Sequence, residues 1–447
     1  MALAERMRPG SVLDPRSVVH RSFQFARAPD LALLGAVLDE VVARHDAART
    51  LPRKAGDMIE LVPAPTRRVI MEERELTSVA DEAELRRAID AVAYAPFDLE
   101  TGPLVRGSWV RRGAGGILVL TLHHWAGDAG ALDALQHEVA ALYTARRAGR
   151  PMPPEPPRYV DVARGKRVAP AALDEQETLA WWRAQLAGAR RASLPTGAKA
   201  SGPVTGGPRA GPSARVAGAG TALVSAPLGA AADAALVRLA VEHRASPYMV
   251  LLAALSAILD DGRGGAEADL TVFAVDGARD GAARRVLGFL AQPMALRFWV
   301  DRRAPLGSAV CATRAAVLDA LDHRDVPFAR LLQIAPRLAV GLLRGRRPAT
   351  VVQYFALRPL DLDGLRGVPL SSFTADPIGE AQPSPIPIAL DVTFERRGDA
   401  HTGAAFYDAA HWSAGEVTEA LATVQRVLAG AAADPWRPLG ELNGQAR

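Results

Sequence analysis

The stretch Ile117 to Tyr143, ILVLTLHHWAGDAGALDALQHEVAALY, decides how this chain is read. Its first six residues, Ile117 to Leu122, are all β-branched residues or leucine. A short continuous run of that kind reads as a buried strand. The run ends in His123 and His124, and a short loop follows, Trp125-Ala126-Gly127-Asp128-Ala129-Gly130. Apolar residues then recur at Leu132, Leu135, Val139 and Leu142, near the 3.6-residue period of an amphipathic helix. Successive side chains of a strand point to opposite faces, so one histidine can enter the core while the other faces a cleft. Asp128, four residues after His124 on a glycine-containing loop, lies close enough to shape the same site. Histidine is the side chain best suited to proton transfer near neutral pH. A lone His-His pair is more often structural than catalytic. Strand, pair, acid and helix together mark a site candidate.

Composition bounds the answer. The chain has 447 residues, 49% of them hydrophobic, enough for a sizeable core and long for one domain, so two lobes are expected. The start, MALAERMRPGSVLDPRS, lacks the apolar segment of a secretion signal, and no 18-residue apolar run suggests a membrane span. A cytoplasmic location follows by default. The single cysteine, Cys311, excludes an intrachain disulfide and reads as a packed helical residue. Net charge is only +4, and nearly all the cations are arginine, with lysine at 54, 166 and 199 alone. Short basic clusters such as Arg344-Gly345-Arg346-Arg347 are not interleaved with aromatics, so no nucleic-acid partner is expected. The nine histidines lack metal-ligand spacing, and no glycine-rich phosphate loop stands between a strand and a helix.

Helices are predicted at 28–45 (with Asp30 as N-cap), 82–92, 174–186, 230–243, 248–259, 305–321 and 414–428. Strands are predicted at 58–62, 67–71, 104–111, 116–122, 221–227, 269–275, 351–357, 388–394 and 403–407. Residues 149–170 are rich in proline and arginine and read as extended, and 195–220 read as a linker. The expected division is an N-terminal lobe over 1–175, a connecting helix and linker over 176–220, and a C-terminal lobe over 221–447.

The chain resembles the condensation domains of nonribosomal peptide synthetases, in the chloramphenicol acetyltransferase-like superfamily. The family's His-His-x-x-x-Asp-Gly run reads here His123-His124-Trp125-Ala126-Gly127-Asp128-Ala129. Arg44-His45-Asp46 with Arg49-Thr50 is similar to its early Arg-His…Arg-Thr motif, and Ala95-Pro96-Phe97-Asp98-Leu99 with Gly102-Pro103-Leu104 to its Pro-Phe-Asp-Leu…Gly-Pro segment. Trp182 with Leu186-Ala187-Gly188, the helix from Tyr248 to Leu259, Gly288-Phe289-Leu290-Ala291-Gln292-Pro293 and His323-Arg324-Asp325-Val326-Pro327-Phe328 follow in the family's order. The likeness spans about residues 15 to 430.

The resemblance implies an α+β fold of two chloramphenicol acetyltransferase-like lobes, a V-shaped pseudo-dimer with a central tunnel. It implies a free-standing condensation enzyme, expected as a monomer, that transfers a thioester acyl group to an amine or alcohol. No cofactor is expected to be held tightly. The acyl group would arrive on the phosphopantetheine arm of an acyl or peptidyl carrier protein in trans, or as a coenzyme A thioester. His124 is the candidate catalytic residue and His123 its buried neighbour. Asp128 is the structural acid, with Arg49 and Arg279 as candidate partners. Backbone N–H groups of Gly127, Ala129 and Gly130 are candidate oxyanion donors, and Trp125 and Gln292 are candidate tunnel residues. Core packing is the commoner role for a residue like Trp125. The family's glycine after the acid is Ala129 here. If that position requires positive φ, alanine strains the loop by about 1 kcal/mol; if it requires space, the methyl group narrows the tunnel. A coenzyme A-dependent acyltransferase and a silent domain that recruits a partner enzyme are the alternatives.

Overall fold

The computed structural model describes residues 13–56, 58–69, 71–76, 81–167, 172–195, 221–277, 279–336, 338, 349–371 and 390–443. The α+β class expected from the sequence is what the structure shows. In chain order the strands are β1 Val18–Phe25, β2 Thr50–Ala55, β3 Met58–Pro63, β4 Glu72–Glu75, β5 Val105–Arg112, β6 Gly115–His123 and β7 Thr221–Pro227. They continue with β8 Glu267–Asp276, β9 Gln292–Asp301, β10 Thr350–Leu357, β11 Leu360–Leu362, β12 Leu365–Pro369, β13 Leu390–Arg397 and β14 Ala400–Asp408. Helices α1 to α4 are Leu31–Arg44, Glu82–Ala93, Ala129–Ala148 and Tyr159–Arg167.

The chain packs into two units. The first comprises Met1–Val168 with two returning segments, Gly277–Ala291 and Arg358–Ser372; the rest forms the second. The continuous division expected from the sequence differs from this at both returning segments. The reason is pairing: β12 joins β1, and 286–291 is tied to Asp128 and Arg279. The expected linker over 196–220 and the cluster Arg344 to Arg347 lie outside the described residues.

The first unit is built on a six-stranded sheet of order β11-β12-β1-β6-β5-β4. β6 lies between β1 and β5, antiparallel to both, and all nine of its residues are buried. That placement explains the uninterrupted apolar run. Leu118, Leu120 and Leu122 pack with α1 and α3 in one core, while Ile117 and Val119 pack under α2 in another. Each of these helices begins on an aspartate whose side chain accepts backbone N–H groups: Asp30, Asp81 and Asp128.

The second unit has a sheet of order β7-β14-β13-β10-β8-β9. Its core includes the helix Pro247–Leu255, which is buried from Met249 to Leu255 and so is apolar on every face.

Four local expectations change. No strand forms at 67–69; the edge strand is β4, beside β5. Residues 159–167 are helical, because Asp46 accepts the N–H groups of Tyr159 and Val160 and starts a turn there. β1, unread in the sequence, occupies the centre of the first sheet beside β6. Cys311 is exposed: buried residues of its helix, among them Ala309, Thr313, Ala316 and Ala320, define the opposite side. No helix of the described residues is long and apolar enough to cross a membrane.

Candidate active site

The site forms where the β6 ladder ends. Val18 pairs with His123 as the last rung, and the His124 N–H donates to the Ser17 carbonyl at 2.8 Å. His123 stays in the sheet and is fully buried. Its Nε2–H donates to the Asp14 carbonyl at 2.9 Å, and its Nδ1 accepts the Trp125 N–H at 3.2 Å. A carbonyl accepts only and an N–H donates only, so these two bonds set one neutral tautomer. Burial lowers its pKa to about 4. Both nitrogens are occupied, so His123 braces the turn.

His124 is half-buried in the turn. Its Nδ1–H donates to the Gly127 carbonyl at 3.1 Å. The carbonyl requires the proton on Nδ1, which leaves the Nε2 lone pair available. Desolvation holds its pKa below the ordinary histidine value, against the opposing influence of the Gly127 hydrogen bond and the Asp128 charge. The ring is therefore neutral at pH 7 and able to accept a proton. The Phe289 ring lies edge-to-face against it, centroids 5.8 Å apart at 66°.

Asp128 caps α3 and is 3% exposed. Its Oδ1 accepts the Ala131 N–H at 2.9 Å and Arg279 Nη2 at 2.8 Å. Its Oδ2 accepts the N–H groups of Leu290 and Ala291 at 2.8 and 2.7 Å. Of the two candidate partners, the structure places Arg279 on Asp128. Arg49 is elsewhere, with its Nε buried and without a hydrogen-bond partner among the described residues. Arg279 also donates to the carbonyls of Ala283, Val286 and Gly288. One ion pair thus fastens the loop after His124 to the segment that carries Phe289.

Ala129 is the first residue of α3, and its φ is not positive. The strain considered for alanine at that position does not arise. The glycine requirement falls one residue later: a Cβ on Gly130 would lie 2.5 Å from Arg279 Nε. Gly127 is equally constrained, since a Cβ there would meet Ala131 Cβ at 2.5 Å. Ala129 and Gly130 open α3, where N–H groups have no partner within the helix and the dipole favours negative charge. Trp125 is half-buried and packs against Leu51, Leu104 and Ala126. Gln292 is the first residue of β9, opposite Asp276, in the second unit.

Residues not named among the site candidates, some of them in the family motifs, support the site. Phe97 lies edge-to-face on His123 at 5.8 Å, and Arg106 stacks on the Phe97 ring at 4.3 Å. Arg44 and Glu138 form a buried pair at 2.7 Å. His45 accepts the Leu287 N–H at 3.4 Å, so the early Arg-His motif braces the returning segment. Tyr159 was hidden in the stretch read as extended; only its aromatic character in a proline-rich run marked it.

The condensation-domain family model matches residues 16–444. Chondramide synthase from Chondromyces crocatus is 28% identical over 350 residues, covering 76% of this chain and 8% of that protein. Phosphinothricin tripeptide synthetase PhsC from Streptomyces viridochromogenes is 28% identical over 341 residues, 74% of this chain and 30% of that protein. The chain therefore spans less than a third of either relative. Among solved structures, the SgcC5 protein from Streptomyces globisporus, in complex with a naphthyl ethanediol and sucrose, aligns with TM-score 0.76 at 24% identity, covering 95% of this chain and 94% of that one. The X-domain from teicoplanin biosynthesis aligns with TM-score 0.70 at 21% identity, covering 98% and 95%. At these identities the structural likeness shows the fold.

Proposed function

Since the chain belongs to the condensation-domain family of nonribosomal peptide synthetases, we propose that it transfers an acyl group from a phosphopantetheine thioester to an amine or alcohol, with His124 as the base. The observation that carries this reading is the geometry of His124: its Nδ1–H is tied to the Gly127 carbonyl, which directs the Nε2 lone pair away from that bond, and desolvation favours the uncharged ring.

The chemistry follows from that lone pair. The nucleophile's nitrogen or oxygen attacks the thioester carbonyl while its proton passes to Nε2. The tetrahedral oxyanion is met by the N–H groups of Ala129 and Gly130 at the start of α3. Collapse expels the pantetheine thiolate, which takes the proton back from Nε2, and an amide or ester remains. General-base assistance of this kind contributes roughly 100- to 10,000-fold. The thioester's tether supplies a further proximity effect. The acyl donor arrives on a carrier protein in trans; the diol bound by SgcC5 favours including vicinal diols among the nucleophiles tested.

Intact-protein mass spectrometry of an acyl-loaded carrier tests this. The carrier is mixed with this chain and a panel of amines, alcohols and diols, with His124→Ala alongside. Acyl loss that requires both a nucleophile and His124 supports the reading. Equal loss with His124→Ala overturns the assignment of His124. Unloading from coenzyme A thioesters alone would assign a soluble donor. Stable carrier binding without unloading would favour the recruiting role suggested by the teicoplanin X-domain, which is known in complex with OxyB.

A further inference from the structure

We infer that Phe289 and Tyr159 are positioning residues for His124: Phe289 orients and shields the imidazole, and Tyr159 fixes Phe289. The inference rests on the proposed role of His124 as base.

Phe289 sits in a segment whose backbone is held on both sides. Before it, the Gly288 carbonyl accepts Arg279 Nη2 at 2.6 Å, and Gly288 bridges Gly127 in parallel. After it, the N–H groups of Leu290 and Ala291 donate to Asp128. Its own carbonyl accepts the Tyr159 hydroxyl at 3.1 Å. Tyr159 is anchored in turn by Asp46, which accepts its N–H at 2.7 Å. The Tyr159 ring covers Gly288 so closely that a Cβ there would lie 2.1 Å from Cδ2, and φ at Gly288 is +144°, so only glycine suits the position. Ring, hydroxyl and glycine together leave Phe289 one place to be, against His124.

The imidazole is thereby held twice. The Gly127 carbonyl fixes Nδ1, and the Phe289 ring restrains rotation about the remaining bond. The same ring keeps water from one side of the imidazole. The charged and titratable groups acting on it are Asp128 at the start of α3, with Arg279 from the returning segment bound to that carboxylate, and His123 at the end of β6. None of these is altered by a change at Phe289. Removal of the phenyl ring admits water, relieves desolvation and moves His124 toward the ordinary histidine value of about 6.5. The acidic limb of the kcat/KM profile moves up in pH with it.

Two measurements test this on the full chain. Histidine NMR titration compares wild type, Phe289→Ala and Phe289→Leu, with His124→Ala to assign the resonance. A rise in the His124 pKa in Phe289→Ala, smaller in Phe289→Leu, is expected. An unchanged titration in both overturns the inference. This measurement needs no turnover, so it judges the inference even if the functional reading fails. In the activity assay, Phe289→Ala is expected to lower kcat by about 10- to 100-fold, as misplacement of a catalytic group does, with the acidic limb displaced. Phe289→Leu restores part of the rate, and Tyr159→Phe, which keeps the ring over Gly288 but loses the hydroxyl bond, falls between. If Phe289→Ala does not fold, Phe289→Leu and Tyr159→Phe carry the test. Wild-type kcat and pH profile in the folded variants would overturn the inference, whatever the titration shows.

Discussion

Replacement of Asp128 by alanine is the most informative single perturbation of the first unit. Its carboxylate accepts four hydrogen bonds, from Ala131 N–H, Arg279, Leu290 N–H and Ala291 N–H. Truncation leaves a guanidinium with 8% side-chain exposure and no counter-charge. Breaking a buried pair by removing one partner costs about 3–5 kcal/mol. Loss of the α3 cap costs about 1 kcal/mol more. The orphaned N–H groups overlap with these losses, because effects within one network do not add. A loss of at least about 3 kcal/mol is therefore expected, a large share of the roughly 5–15 kcal/mol typical of a folded protein. Urea unfolding followed by tryptophan fluorescence reads it as a midpoint shift. The double variant Asp128→Ala with Arg279→Met removes the stranded charge, so its loss should be smaller than the sum of the single losses. A loss below about 1 kcal/mol in Asp128→Ala, or strict additivity in the double variant, would refute the view that this pair fastens the site.

Three further expectations follow from the same geometry. Gly130→Ala brings a methyl group to 2.5 Å from Arg279 Nε and should lower the melting temperature and turnover together. Ala129→Gly, the reversion to the family residue, should leave kcat unchanged and destabilise α3 by less than about 1 kcal/mol, because Ala129 is helical with no positive φ; a large gain in kcat would show that the methyl group obstructs the site. His45 and His123 are buried and His20 is half-buried, and desolvation lowers the pKa of each to about 4, against about 6.5 unfolded. The unfolded chain binds more protons between these values, so stability is complete above pH 6.5 and falls toward pH 4. His45→Gln should flatten that slope in urea midpoints measured from pH 4 to 7.

The signals that shape the site differ in how local they are. The buried strand before His123 and the helix after Asp128 were legible because each has a short-range signature: a continuous apolar run and a 3.6-residue period. Both sit where the pattern put them, with β6 running Gly115–His123 and α3 Ala129–Ala148, while the capping role of Asp128 emerged only in the structure. The fold family was legible from an ordered set of motifs. Cys311 was misread because a helix with several apolar residues does not announce which stripe is buried. Helix α4 was missed because its start depends on Asp46, 113 residues upstream of Tyr159.

The amino-acid sequence by itself determined the chemical inventory of the site and the secondary structure beside it. Tertiary structure alone decided which arginine meets Asp128, across 151 residues. It also decided that β12 returns to β1, that Tyr159 closes over Gly288, and that Phe289 faces His124. Contacts between distant segments leave no periodicity in either segment, because they arise from the packing of surfaces that exist only after the sheet has formed.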